Sequence, residues 1–161
     1  MTDTSSKVAI VTGASGGIGA AIAQRLARDG FTVVVNYAGN AGPAEALVAK
    51  IESAGGRAVA AQADIADPAA VARLFDTAGA AFGGVDVVVN NAGVMQLATI
   101  AESDDALFDR QIAINLRGVF NTLREALAAV AGRRPHHQHL VERDHAASAD
   151  LRRLCCNQGG S

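Results

Sequence analysis

Apolar residues in this chain fall into short β-branched runs that alternate with stretches of helical spacing. Lys7 to Thr12 (KVAIVT) is one such run and ends at a glycine-rich turn; Ile18 to Arg28 follows it with Ile22 and Leu26 four apart. These segments predict a strand, a turn and a helix. Phe31 to Tyr37 predicts a second strand, and Pro43 to Ala54 a helix stopped by Gly55 and Gly56. Arg57 to Gln62 is the third strand. Asp67 followed by Pro68 supplies a side-chain acceptor at the cap and a proline at the first helical position, so a helix runs from there to about Phe82. Val85 to Val89 is the fourth strand. From Asp104 to about Ala131 the spacing is helical again, in two pieces, because Leu107, Gln111 and Ile114 give way to Leu116, Phe120, Leu123 and Leu127.

Strands that are nearly all apolar and alternate with helices are buried on both faces, which is the pattern of an α/β protein with a parallel sheet. The expected fold is a Rossmann-like doubly wound parallel sheet, truncated after about four strands. With right-handed crossovers, the chain runs outward from strand one to strands two and three and then returns, so strand four lies beside strand one. The loops after strands one and four then face each other across the switch-point crevice.

Length and composition suit this picture. A chain of 161 residues with 50% hydrophobic content is one domain with a real core. Lys plus Arg number 14 against 16 Asp plus Glu, so there is no basic field to attract nucleic acid or an anionic membrane. The apolar runs are far shorter than a membrane span, and MTDTSSK lacks the apolar core of a signal peptide. A cytoplasmic protein acting on small molecules is expected. The composition changes near Gly132. Residues 1–132 hold every Phe and Tyr and no His or Cys; residues 133–161 hold His136, His137, His139, His145, Cys155 and Cys156 and neither Phe nor Tyr. The chain is therefore expected to divide into a folded part at 1–132 and a disordered tail at 133–161.

The first turn reads Thr12-Gly13-Ala14-Ser15-Gly16-Gly17-Ile18-Gly19. Glycines at 13, 17 and 19 permit a tight turn, close approach to a pyrophosphate and close contact of helix with strand. The helix N-terminus adds free N–H groups and a positive dipole end. A plain structural turn is the competing reading, and the position between first strand and first helix favours the phosphate. Asn90-Asn91-Ala92-Gly93 follows strand four directly. It reads either as a turn, since Asn and Gly tolerate positive φ, or as a loop in which the Asn91 amide ties strand four to its neighbour.

In order and spacing, Thr12-Gly13-x-x-x-Gly17-Ile18-Gly19, then Asp64, then Asn90-Asn91-Ala92-Gly93, then Asn115 within Ile114 to Phe120 resemble the short-chain dehydrogenase/reductase family. The resemblance covers residues 7 to about 132 and is nearest to the 3-oxoacyl-carrier-protein reductase and glucose dehydrogenase-like branch. It implies that Gly13, Ser15, Gly17, Ile18 and Gly19 hold the cofactor pyrophosphate and nearby ribose. Asp64 and Ile65 would flank the adenine; Asn91, Ala92 and Gly93 would sit by the adenosine and nicotinamide riboses. Asn115 is the catalytic residue the resemblance supplies, holding a water in a proton relay. For Asp64 a loop cap, and for Asn115 a satisfied polar residue in a helix, are the competing readings. The second strand ends at Asn36 and Tyr37, without the acid that binds an adenosine 2′-hydroxyl, so NADP(H) is expected over NAD(H), with Ser15 and Asn36 as donors to a 2′-phosphate. No Arg or Lys stands at 13–19 or 36–42 to pair with it.

The family's chemistry on a small carbonyl or alcohol substrate also needs a Tyr as proton donor, a Lys four residues later and a Ser that orients the carbonyl. After Asn115 the chain has no Tyr and no Lys, and Ser148 sits in no recognisable strand end. The tail's His and Cys residues match no usual zinc spacing, so no metal is expected, and a vicinal disulfide does not suit a reducing cytosol. Another reading explains the tail better. Back-translation with one nucleotide dropped at Arg133 permits GGRIINISSSVT and, further on, PTYGVYAATKAAV, with a serine over Val141, the tyrosine over Leu154 and the lysine over Gln158. The tail then reads as a frameshifted continuation of the family's second half. The chain as it stands is expected to be catalytically defective and unable to form the family's usual homodimer or homotetramer. A non-catalytic dinucleotide-binding fragment is the alternative function. A methyltransferase of the same α/β pattern would leave Asn-Asn-Ala-Gly and Asn115 as coincidences.

Overall fold

In a computed structural model of the chain the described residues are 7–131 and 139–142. Strands β1 (Val8–Val11), β2 (Thr32–Tyr37), β3 (Arg57–Gln62), β4 (Val87–Asn90) and β5 (His139–Glu142) form one sheet in the order β3-β2-β1-β4-β5, and every pairing is parallel. Helices α1 (Gly17–Arg28), α2 (Ala41–Ser53) and α3 (Pro68–Phe82) connect the first four strands. After β4 come α4 (Asp105–Ile112), a π-helical segment (Ala113–Gly118) and α5 (Val119–Ala131).

The expected strand order holds, and the central strands β1, β2 and β4 are largely apolar because both sheet faces are covered. Ala9, Val11, Val33, Val35, Val87 and Val89 pack with Ala23, Leu47 and Ile51 of α1 and α2. Val8, Ile10, Val34 and Val88 turn to the other face, against Leu74 of α3 and Ala126 of α5. A period-two strand sends its alternate residues to opposite layers, so a strand between two helical layers has no polar side.

Local boundaries follow the caps. Asp67 accepts the Ala69 N–H at 2.9 Å, Pro68 opens α3, and Gly83 ends it at φ 84°. Helix α2 begins at Ala41, two residues before the expected start at Pro43. Asn40 accepts the Gly42 N–H at 3.0 Å, and proline is tolerated inside a first turn whose N–H groups have no helical partner anyway.

The four-strand expectation meets one difference: β5 pairs with β4 through Val87↔His139 to Asn90↔Glu142, so the β4 edge is covered. A parallel partner needs only backbone N–H and C=O groups in register, which any non-proline segment supplies. Residues 139–142 of the segment expected to be disordered are thus a strand, and the other residues after 131 lie outside the described ones. His136, His137, His145, Cys155 and Cys156, and the frame-shift positions Leu154 and Gln158, lie outside the described residues. Among the described residues no helix is long and apolar enough to cross a membrane, and no group of three or more His, Cys, Asp or Glu is placed to hold a metal ion.

Candidate functional site

The crevice at the C-terminal ends of β1 and β4 is built around Thr12, a residue the sequence pattern gave no role beyond ending a strand. Its side chain is fully buried. The hydroxyl donates to the Val89 carbonyl at 3.2 Å and accepts the backbone N–H groups of Asn91 at 2.9 Å and Ala92 at 3.0 Å. One hydroxyl thus fixes the path of the chain leaving β4. Asn91 returns the tie, since its Nδ2 donates to the carbonyls of Thr12 at 3.0 Å and Gly13 at 3.2 Å. The sequence reading of Asn91 as the amide that joins the two loops is therefore what the structure shows.

That proximity sets the glycine requirement. A Cβ on Gly19 would lie 2.5 Å from Asn91 Nδ2 and 2.6 Å from the Gly13 carbonyl oxygen. Gly13 itself has φ 61°, and its Cβ would lie 2.8 Å from Ala92 Cα. At both positions a methyl group would push the loops apart. Gly17 and Ile18 are exposed at the first turn of α1, Ser15 is half-buried beside them, and Gly16 at the cap has no side chain to occupy the first N–H groups. The helix N-terminus therefore keeps its N–H groups for an anion, and an uncapped, exposed turn of this kind fits a pyrophosphate.

Other candidates are placed less directly. Asn36 is 1% exposed and turned into the protein. Its Oδ1 accepts the Gly13 N–H at 3.2 Å, and its Nδ2 donates to the carbonyls of Ala63 at 3.0 Å and Ala61 at 3.3 Å, with that of Tyr37 at 3.4 Å. Both amide hydrogens are committed inside the protein, so the expected donation from Asn36 to a 2′-phosphate has no donor left. The exposed residues after β2 are Ala38, Gly39 and Asn40. Asp64 is exposed and its carboxylate accepts the Ala66 N–H at 2.9 Å, which is the loop-cap geometry. Ile65 is 4% exposed, and its side chain packs where a Cβ on Gly118 would strike it.

Asn115 lies in the π-helical segment that splits the long helix, at the point where the sequence spacing changes. Its Oδ1 accepts the Val94 N–H at 2.9 Å and its Nδ2 donates to the Val94 carbonyl at 2.7 Å, just beyond Gly93. The amide anchors the strap after β4 to the helix. Sequence reasoning passed over Asn121 and Thr122. Buried Asn121 donates to the Ile65 carbonyl at 2.9 Å, and buried Thr122 donates to Asn90 Oδ1 at 2.6 Å. Adjacent polar residues within the apolar spacing of α5 were the available signal. Asn90 Nδ2 is buried without a hydrogen-bond partner among the described residues.

Strand order, the uncapped first turn and the amide tie between the β1 and β4 loops define a dinucleotide-binding doubly wound domain. The chain belongs to the short-chain dehydrogenase/reductase family: the pattern described as short chain dehydrogenase matches residues 7–136. This family of oxidoreductases uses nicotinamide dinucleotides. The chain is 48% identical over 120 residues to the short chain dehydrogenase/reductase AacuN of Aspergillus aculeatus, a match that takes in 74% of this chain and 46% of that protein. Elsinochrome reductase 1 of Elsinoe fawcettii is 47% identical over 120 residues, covering 74% of this chain and 45% of its own. Among solved structures, a short chain dehydrogenase from Mycobacterium avium superimposes with a TM-score of 0.81 at 39% identity, over 84% of this chain and 53% of that one. The chain thus spans about half the length of the relatives it matches.

Proposed function

We propose that this chain is the dinucleotide-binding half of an NADP(H)-dependent oxidoreductase acting on a small carbonyl or alcohol substrate, and that the chain as it stands binds the cofactor without transferring hydride at a useful rate. The observation that carries the reading is the Gly13 to Gly19 turn, held open at the helix N-terminus and tied by Asn91 to the loop after β4. A bound nicotinamide dinucleotide supplies the hydride donor or acceptor. The residues of this chain do the holding: the first turn of α1 takes the pyrophosphate, Ala92 and Gly93 border the crevice, and Asn115 fixes the strap at Val94.

NADP(H) is favoured because the exposed residues after β2, Ala38 to Asn40, carry no carboxylate to repel a 2′-phosphate. Catalysis is not favoured because Tyr37 is the only tyrosine and lies on β2, away from Asn115 in sequence and element. A primary amide is neither an acid nor a base of useful strength at neutral pH, so Asn115 does not replace a general acid. A frame shift near Arg133 accounts for the missing Ser, Tyr and Lys, and sequencing codons 130 to 135 reads it directly. We place the protein in the cytoplasm, with neither nucleic acid nor membrane as partner.

The test is calorimetric titration of the chain with NADP⁺ and NAD⁺, followed by NADPH turnover with a panel of β-ketoesters and diketones. Tighter binding of NADP⁺ and no turnover are expected. Binding of neither dinucleotide would remove this function.

A further inference from the structure

We propose that Asn36 is a positioning residue that sets the pyrophosphate turn and the loop after β3 as one unit, and so governs the affinity for both dinucleotides alike instead of discriminating between them. The inference rests on the dinucleotide reading of the site, and it concerns a residue whose side chain is enclosed and bonded within the protein.

The geometry is that of a three-way brace. Asn36 holds two consecutive N–H groups of the turn, that of Gly13 with its side-chain oxygen at 3.2 Å and that of Ala14 with its backbone carbonyl at 2.8 Å. The other end of the amide donates to the carbonyls of Ala61 and Ala63, where β3 passes into the loop bearing Asp64 and Ile65. Gly13 is thereby held from two sides, its N–H by Asn36 of β2 and its carbonyl by Asn91 beyond β4. Asn36 is almost completely enclosed, so water does not substitute for either bond.

The residue type is demanded by this arrangement. The site offers one N–H donor on one side and two or three carbonyl acceptors on the other, and only a primary amide of this length is both acceptor and double donor. An aspartate has the same shape and the wrong chemistry, since its second oxygen would face the carbonyls of Ala61 and Ala63. No Lys or Arg stands at 58–66 or 36–42 to steady that charge, and the nearby titratable groups, Tyr37 and the exposed Asp64, do not compensate it. Protonation would restore a donor toward the carbonyls, so the defect of Asn36→Asp should shrink as pH falls.

The experiment uses the full chain, wild type and Asn36→Asp. NADP⁺ and NAD⁺ are titrated by calorimetry at pH 8 and pH 5.5, and amide exchange is followed without cofactor, corrected for the intrinsic rate. At pH 8 the variant should bind both dinucleotides more weakly by the same factor, roughly tenfold to a hundredfold, the cost of unpaired buried groups. Residues 13–16 and 61–66 should exchange faster together, and both effects should diminish at pH 5.5. A loss confined to NADP⁺ would show that the side chain faces the 2′-phosphate and overturn the inference, as would unchanged exchange in the turn. If the wild type binds neither dinucleotide, the proposed function falls, and the exchange arm alone decides the role of Asn36. If Asn36→Asp does not fold at pH 8, Asn36→Ser, which keeps one donor and one acceptor, is measured in the same way with the same two deciding outcomes.

Discussion

The side chain of Asn115 spans the backbone of Val94, taking its N–H at 2.9 Å and giving a hydrogen to its carbonyl at 2.7 Å. A helix residue has here replaced a strand partner, since both backbone groups of Val94 are satisfied by one amide. The π-helical segment brings that amide to bear on the strap, and Gly93 leaves only 3.2 Å between a notional Cβ and Asn115 Oδ1.

Replacing Asn115 with Leu removes both bonds. Because the site is exposed, the expected destabilisation is modest, about 1 kcal/mol, and Asn115→Asp should recover only the part due to the accepted N–H. Amide exchange at residues 92–96, compared with the global denaturant midpoint, checks this. A variant that lowers the midpoint without loosening the strap first would contradict the anchoring role.

Thr12→Val keeps the shape of a fully buried residue and takes away the acceptor for two N–H groups. An unpaired buried donor costs roughly 1–3 kcal/mol, so the variant should lose several times more stability than Thr12→Ser, which keeps the hydroxyl. Urea midpoints of the two variants make the comparison. Equal losses would mean that the methyl group and not the hydroxyl matters.

Gly19→Ala should abolish dinucleotide binding, because the added methyl meets Asn91 Nδ2 and the Gly13 carbonyl. Gly79→Ala is the contrasting case. It lies inside α3 with nothing within 4 Å of its notional Cβ, and should gain about 0.5–1 kcal/mol from helix propensity. Thermal melts and a binding titration on both variants separate a steric glycine from a replaceable one.

The cofactor preference depends on the charge after β2. Ala38→Asp introduces a carboxylate on an exposed residue there and should lower NADP⁺ affinity relative to NAD⁺ by roughly tenfold at low salt, with the effect shrinking as salt is added. A ratio that does not move with this change would place the 2′ position elsewhere.

Phe108, Ile112, Leu116 and Phe120 are exposed at spacings of four along α4, the π-helical segment and the start of α5, and Leu127 extends the line. An apolar stripe of this size on a soluble surface promotes association. The chain is expected to aggregate or self-associate at micromolar concentration, and Leu116→Glu with Phe120→Glu should reduce light scattering. A monodisperse monomer in sedimentation, unaffected by the double change, would argue against the stripe as the cause.

The sequence by itself determined the alternation of strands and helices, the strand order and the two loops that meet at the crevice. Apolar strand periodicity, Asp67-Pro68 and the glycine turn act through the local chain, and local chemistry is legible residue by residue. It also placed Asn91 directly after the fourth strand, and the family resemblance singled out Asn115. Only the tertiary structure decided which way a polar side chain turns. Asn36 reads as a crevice donor from its place at the end of β2, yet three-dimensional packing brings Gly13, Ala61 and Ala63 around it and commits its amide inside. Thr12 and Thr122 likewise gain their roles from partners 32 to 80 residues away. A hydrogen-bonding group in a buried position must find its partner in space, and spacing along the chain carries no record of which carbonyl will be within reach.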